Sequence, residues 1–343
     1  MRPIRVLVVE DSLVFRELLV RNLGMDPGIE VVASAENPYE ARDAIVKYKP
    51  DVMTLDIELP RMNGIEFLKK LMPQYPMPVV VISSLSDKVF DALNAGAVDF
   101  VAKMSMMDKK SLEEFVRQDL VDKIKIASIA RLKMVGKART DYPVLDVPNP
   151  SGRNLVVAIG ASTGGVEALD TILTQFKEDT PGVVIVQHMP AGFTKHFADR
   201  LNSRCRMAVR EAKNGDAVVQ GQVLLAPGGN SQMRLVKAGD GYQVVLREEA
   251  KVNGHCPSVD VLFESVAKTA GNQALGIILT GMGADGAKGL LDMRRAGART
   301  IGQDESTCVV YGMPHVAYEL GAVEYQEKLS NIAKRAYTLL NEM

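Results

Sequence analysis

Short apolar runs alternate with helix-spaced stretches through the first 125 residues. "IRVLVV" (4–9), "IEVVASA" (29–35), "DVMTLDI" (51–57), "PVVVISS" (78–84) and "DFVAK" (99–103) read as five strands. Between the first two, Phe15, Leu18, Leu19 and Leu23 recur at helical spacing and are expected to face a core. Five β/α units of this length predict a doubly wound, five-stranded parallel sheet of flavodoxin-like type. Residues 110–135 read as a last helix running into a connector. "DYPVLDVPNPSG" (141–152) carries Pro143, Pro148, Pro150 and Gly152, which bar a helix and predict a linker.

A second alternation starts at "NLVVAIGASTGG" (154–165) and continues through "GVVIVQH" (182–188), "QVLLAP" (222–227), "YQVVLRE" (242–248), "ALGIILTG" (274–281) and "ARTIGQD" (298–304). It predicts a further α/β domain with a mostly parallel sheet, and a hairpin where "MRLVKAGDGYQVVL" turns at Gly239–Gly241. The organisation expected is a domain over 1–125, a linker over 126–152 and a second domain over 153–343. There is no internal repeat.

Charge narrows the partners. Lys plus Arg is 41 and Asp plus Glu is 42, a net of −1, so nothing points to nucleic acid or an anionic membrane. The first hundred residues hold 15 acidic and 11 basic side chains, a net of −4, which suits a bound cation better than a phosphate backbone. Cys205, Cys256 and Cys308 are scattered and form no CxxC pair, as expected of a reduced, cytoplasmic protein without a zinc site. The opening "MRPIRVLVVED" is too short an apolar run, and ends too acidically, for a signal peptide or membrane insertion.

The acidic residues collect where chemistry is expected. Glu10 and Asp11 end the first predicted strand and Asp56 the third, and strand C-termini of a doubly wound sheet converge on one crevice. Three carboxylates there repel one another unless a hard cation such as Mg²⁺ neutralises them. Ser83 and Lys103 end strands four and five, adding a hydroxyl and an ammonium suited to holding a phosphoryl group. With "VVED", "LDIELPRMNGIEFL", "VISS" and "GAVDFVAK" at these spacings, the segment resembles the receiver domain of bacterial response regulators. The resemblance implies that Asp56 is the phosphoacceptor. It implies that Asp11 and Asp56 ligate Mg²⁺, with the Glu58 carbonyl, while Glu10 acts through water. It places Ser83 and Lys103 against the phosphoryl group and Phe100 at the switching aromatic position. Met104 stands where receivers usually carry proline.

In the second domain "AIGASTGGVEAL" puts Ser162 just past a strand, with Gly164 and Gly165 opening a helix. Such a serine is exposed and can draw on helix N–H groups, although the GxSxG spacing is absent; an N-cap or a phosphate cradle is the plainer role. Of four histidines, His188 ends a strand, His196 falls on a helix as a surface or packing residue, and His255 and His315 fall in loops. "ILTGMGADGAKGL" (277–289) fits GxGxxG with Gly281, Gly283 and Gly286, and "ARTIGQD" ends in Asp304, 18 residues after Gly286. A dinucleotide site therefore stays open on spacing alone. The alternative is that these glycines let backbone approach a reacting centre, with Asp285 orienting an imidazole.

Together "GASTGG", "QHMPAGFT", "LTGMGADGAKG" and "STCVVYGMP" resemble the catalytic domain of the chemotaxis receptor methylesterases, the CheB family, over about 152–343. The resemblance implies Ser162 as nucleophile, His188 as general base and acid, and Asp285 as its orienting partner. It implies an oxyanion hole at the Met282 N–H with Thr163 beside it, while His315 stands where a basic residue is expected. It further implies a phosphorylation-activated monomer that demethylates glutamate γ-methyl esters on methyl-accepting receptors, and can deamidate glutamines. Its phosphodonor would be the chemotaxis histidine kinase, with Mg²⁺ in the receiver and no organic cofactor. An oxidoreductase carrying a receiver, and a phosphorylation-switched binding protein with an unused triad, are the competing readings.

Overall fold

The computed structural model of the chain describes residues 2–84, 86–103, 116–132 and 154–343. The chain divides into two compact units, 1–139 and 140–343. The expected linker prolines, Gly152 and Met104 lie outside the described residues.

In the first unit β1 (Ile4–Val9), β2 (Ile29–Ala35), β3 (Val52–Asp56), β4 (Val79–Ser83) and β5 (Asp99–Ala102) form a parallel sheet in the order β2-β1-β3-β4-β5. Its central strands are buried on both faces: Val6, Leu7, Val8, Val52, Met53 and Val79 to Val81 expose nothing. This is why they read as unbroken apolar runs rather than alternating ones. The helices are α1 (Leu13–Leu23), α2 (Pro38–Tyr48), α3 (Gly64–Leu71), α4 (Ser86–Asn94) and α5 (Val121–Ser128). Their starts are capped close behind the strands. The Ser12 hydroxyl accepts from Phe15 N, Asn37 Oδ1 from Tyr39 N and Glu40 N, and Asn63 Oδ1 from Glu66 N. Short capped turns keep the residues after β1 and β3 on the rim of the sheet.

Two sequence expectations shift. Leu19 and Leu23 are fully buried on α1, but Phe15 and Leu18 are only half-buried. Phe15 instead presents its ring to Lys103, whose Nζ lies 4.5 Å from the centroid. The last helix continues to Ser128 with Ile124 and Ala127 buried, so an end at residue 125 would cut it.

In the second unit β6 (Val156–Ala161), β7 (Gly182–Gln187), β8 (Ala208–Glu211), β10 (Gln222–Leu225), β13 (Ala274–Ile278), β14 (Arg299–Gln303) and β15 (Tyr325–Glu327) make a seven-stranded parallel sheet ordered β15-β14-β13-β6-β7-β10-β8. A three-stranded antiparallel sheet holds β9 (Ala217–Val218), β11 (Ser231–Ala238) and β12 (Gly241–Glu248). The expected hairpin is there: Ala238 pairs with Gly241 across a two-residue turn. Strands β8, β9 and β15 escape the sequence pattern because "AVRE", "AV" and "YQE" carry too few apolar residues to show a period.

Helices α6 (Gly165–Leu173), α7 (Phe193–Asn202), α8 (Val259–Ala270), α9 (Ala287–Arg295), α10 (Met313–Glu319) and α11 (Leu329–Glu342) complete the unit. Val259, Leu262, Phe263 and Val266 of α8 are fully buried in the core, each worth roughly 1.5–3 kcal/mol of apolar transfer. The chain winds one way from β6 to β7 and the other way from β13 to β14. The β6/β13 boundary is thus the switch point, where α/β sheets bind ligands at their strand C-termini.

Candidate active site and acidic pocket

Ser162 follows β6 at that switch point. Its N–H donates to Thr280 O (3.0 Å), and its carbonyl accepts from Gly165 N (2.8 Å) and Gln187 Nε2 (2.9 Å). The turn into α6 needs Gly164, whose φ of +80° is left-handed and whose missing Cβ would sit 2.6 Å from Val309. Ser162 is buried, exposing 8% of its surface, at the N-terminal end of α6.

On the neighbouring strand Ala161 pairs with Gln187, and His188 N donates to Ala161 O at 3.1 Å. His188 therefore leaves β7 one residue beyond the pairing, level with Ser162. Its Nε2 lies 2.8 Å from Asp285 Oδ2, and its Nδ1 is buried with no hydrogen-bond partner among the described residues. Asp285 comes from the segment after β13 and is itself 2% exposed. Besides His188, Oδ2 accepts from Val259 N (2.7 Å); Oδ1 accepts from Ser258 Oγ (2.7 Å), Asn253 Nδ2 (2.8 Å) and Asp260 N (3.3 Å). Burial alone would raise this carboxyl, but the bonds and charge from His188, with those from Asn253 and Ser258, hold it well below the usual carboxylate range. It is an ionised acceptor, suited to receiving a proton carried on His188 Nε2.

The glycine-rich segment serves this centre. A Cβ on Gly281 would lie 2.6 Å from Ser162 Cβ. Asp304, required on a ribose in the dinucleotide reading, instead accepts from Ser306 N and caps the Glu305–Thr307 turn. Gly281 O receives both Gly312 N (3.0 Å) and Met313 N (2.8 Å), which pins the backbone leading to Met282. The Met282 N–H makes no hydrogen bond among the described residues and its side chain is exposed. Thr163 is buried, its carbonyl accepting from Thr280 Oγ1 at 3.0 Å.

His196 is exposed on α7, as expected, and His315 is exposed on α10 with its ring 5.2 Å from that of Tyr311. His255 is the residue that sequence reasoning missed. Expected only as a loop residue, it stacks on His188 with ring centroids 3.6 Å apart and planes 10° apart. Asn253 and Ser258 were missed too. The run "NGHCPSVD" offered polar groups in number but no period to rank them.

The first unit collects the acids. Glu10 and Asp56 are buried while Asp11 is exposed, and one carboxylate oxygen from each lies within 4.8 Å of the others. Lys103 Nζ reaches both Glu10 oxygens (3.0 Å each) and Asp56 Oδ2 (2.8 Å). Burial, then the Asp56 charge, push the Glu10 carboxyl up to about 7 despite Lys103. Burial opposes the Lys103 charge, but Asp56 and Glu10 together hold its ammonium above the ordinary lysine value. Glu58 N donates to Asp56 Oδ1 (2.9 Å), and Lys103 N to Ser83 O (2.8 Å), so Ser83 and Lys103 end adjacent strands. Phe100 is buried on β5. Three carboxylates sharing one small volume, two of them buried, fit a hard divalent cation with oxygen ligands.

A family profile described as CheB methylesterase matches residues 157–336, and one described as response regulator receiver domain matches 6–117. Along its full length the chain is 59% identical to the protein-glutamate methylesterase/protein-glutamine glutaminase 2 of Syntrophomonas wolfei, covering 99% of that protein. The chain belongs to the CheB methylesterase family. It is also 50% identical to the protein-glutamate methylesterase/protein-glutamine glutaminase of Syntrophotalea carbinolica, with 99% of each chain covered. Among solved structures, the Thermotoga maritima CheB methylesterase catalytic domain superposes with a TM-score of 0.53 at 35% identity, over 56% of this chain and all of that one. No helix among the described residues is long and apolar enough to cross a membrane.

Proposed function

We propose that the chain is a cytoplasmic, monomeric serine hydrolase, activated by phosphorylation, that demethylates glutamate γ-methyl esters on methyl-accepting chemotaxis receptors. The observation that carries this reading is His188, which leaves β7 level with Ser162 and is anchored through Nε2 to an ionised Asp285, its Nδ1 buried and without a hydrogen-bond partner among the described residues. In this reading Nδ1 takes the Ser162 proton as Oγ attacks the ester carbonyl. The carbonyl π electrons move onto oxygen, where the Met282 N–H donates, with Thr163 beside it. His188 then gives its proton to the departing methoxide, releasing methanol and leaving an acyl-Ser162. Water attacks next, losing a proton to His188, and Ser162 departs with that proton while the receptor keeps a glutamate. A glutamine substrate follows the same course with ammonia leaving, which accounts for glutaminase activity without any organic cofactor.

The acidic pocket supplies control. In this reading the receiver spans 1–125 and the catalytic domain 153–343, and the receiver's last helix runs past that boundary to Ser128, into the first residues of the joining segment. Residues 126–152 join them. Asp56 accepts a phosphoryl group from the chemotaxis histidine kinase, while Lys103 and Ser83 hold its oxygens and Phe100 reports the change. Asp11, Asp56 and the Glu58 carbonyl would hold Mg²⁺, with Glu10 acting through water. When bound there, such an ion would offset charge on the phosphoryl oxygens. The test is initial methanol release from methylated receptor membranes, with and without a small phosphodonor. Release that is phosphodonor-stimulated in the native protein and absent from Ser162→Ala supports the reading; equal release from both proteins sinks it.

A further inference from the structure

We propose that His255 is a positioning residue for the hydrolase reaction: its ring fixes the plane of His188 by stacking on it. The inference rests on His188 being the base. The Asp285 bond holds His188 at Nε2 only. The terminal torsion of a histidine is broad, and turning about Cβ–Cγ displaces Nε2 less than Nδ1, so a modest rotation would swing Nδ1 away from the nucleophile while keeping that bond. A planar neighbour 3.6 Å away and within 10° of parallel closes off that rotation.

His255 is itself held firmly. Its N–H donates to Val252 O and its carbonyl accepts from Val252 N, both at 2.9 Å, and Gln232 Nε2 also donates to that carbonyl at 3.2 Å. The residues around it grip the other member of the pair, since Asn253, Ser258 and Val259 N all bond the Asp285 carboxylate. A single segment between β12 and α8 therefore clamps Asp285 at its oxygens and His188 at its face. Neither ring nitrogen of His255 is needed for this; a flat side chain of similar size is.

The experiment compares native protein with His255→Phe, His255→Leu and His255→Ala, all in the full chain. Two rates are read: labelling of Ser162 by a fluorophosphonate, which needs no receptor, and methanol release from methylated receptor membranes. Leu fills the space without a plane, and Phe restores the plane without a titrating nitrogen. Leu and Ala should label, and turn over, about 10- to 100-fold more slowly, the loss falling on kcat with KM little changed. Phe should recover most of the rate. Native-like labelling by Leu, or a Phe variant as slow as Leu, overturns the stacking role. Should Ala fail to fold, the Phe–Leu pair still decides. Failure of the hydrolase reading looks different: native protein would then show no labelling at Ser162.

Discussion

Gly281 and Ser162 are packed so closely that a methyl group between them has no room. A Cβ on Gly281 would stand 2.6 Å from Ser162 Cβ, 3.2 Å from its backbone nitrogen and 2.4 Å from Met313 Sδ. The methionine can move; the serine backbone, tied to Thr280 O, cannot do so without shifting the Ser162 side chain. Gly281→Ala is therefore expected to cost about 1–3 kcal/mol of stability and about 100-fold in methanol release. Thermal melts and initial rates on the same preparation check it. A variant with native activity would mean the nucleophile tolerates displacement.

Asp285 gives a prediction with a sign. Its carboxylate accepts from five donors, those of His188, Val259, Ser258, Asn253 and Asp260. In Asp285→Asn the new NH₂ must face one set of these donors, at a cost of about 1–3 kcal/mol, besides a loss of activity smaller than that of Ser162→Ala or His188→Ala. Because the native carboxyl is held below its ordinary value of 3.8, the stability it contributes is full above that value. It is lost as the pH falls toward the native one, at up to about 1.4 kcal/mol per unit. The gap between denaturant midpoints of the native chain and the Asp285→Asn variant should hold from neutral pH down to about pH 4 and begin to narrow between there and about pH 3. A gap that widens on acidification contradicts the ionised, hydrogen-bonded carboxylate.

Phosphorylation should be confined to Asp56. A small phosphodonor with Mg²⁺ is expected to label the native chain and raise its methanol release, and Asp56→Asn should abolish both. Labelling that survives chelation of Mg²⁺, or that survives Asp56→Asn, removes the acidic pocket from the mechanism.

Lys103 is the cation that lets Glu10 and Asp56 stay together. Lys103→Ala leaves two buried carboxylates facing each other, which should cost about 3 kcal/mol. Added Mg²⁺ should restore more melting temperature to this variant than it adds to the native chain. An equal gain in both would show that the ammonium and the ion do not share the carboxylates.

The thiols should be bystanders. Burial, aided by the Asp170 charge, pushes the Cys205 thiol up to about 12, and burial raises Cys256, the neighbour of His255. Iodoacetamide at neutral pH should label Cys205 about 1,000-fold more slowly than an unperturbed thiol, with methanol release unaffected. Rapid inactivation traced to Cys256 would point to a thiol nucleophile instead.

Strand ends were legible from the chain alone. Because the central strands of the two parallel sheets are buried on both faces, they are unbroken apolar runs, and the polar residue that stops each run stands out: Asp56 at the end of β3, Ser83 at the end of β4, Ser162 after β6, His188 after β7. The mismatch between Asp304 and a ribose-binding role was not legible, since spacing says nothing of which turn a carboxylate caps. Nor was the order that sets β6 between β13 and β7, which brings the Asp285 segment to His188. That order depends on which strands share hydrogen bonds across long stretches of sequence. Which ring nitrogen of His188 meets Asp285, and the stack of His255 on His188, were decided by tertiary structure alone. They arise from an aperiodic loop held by its own backbone pairing, and a contact between two side chains on unrelated segments leaves no pattern along either one.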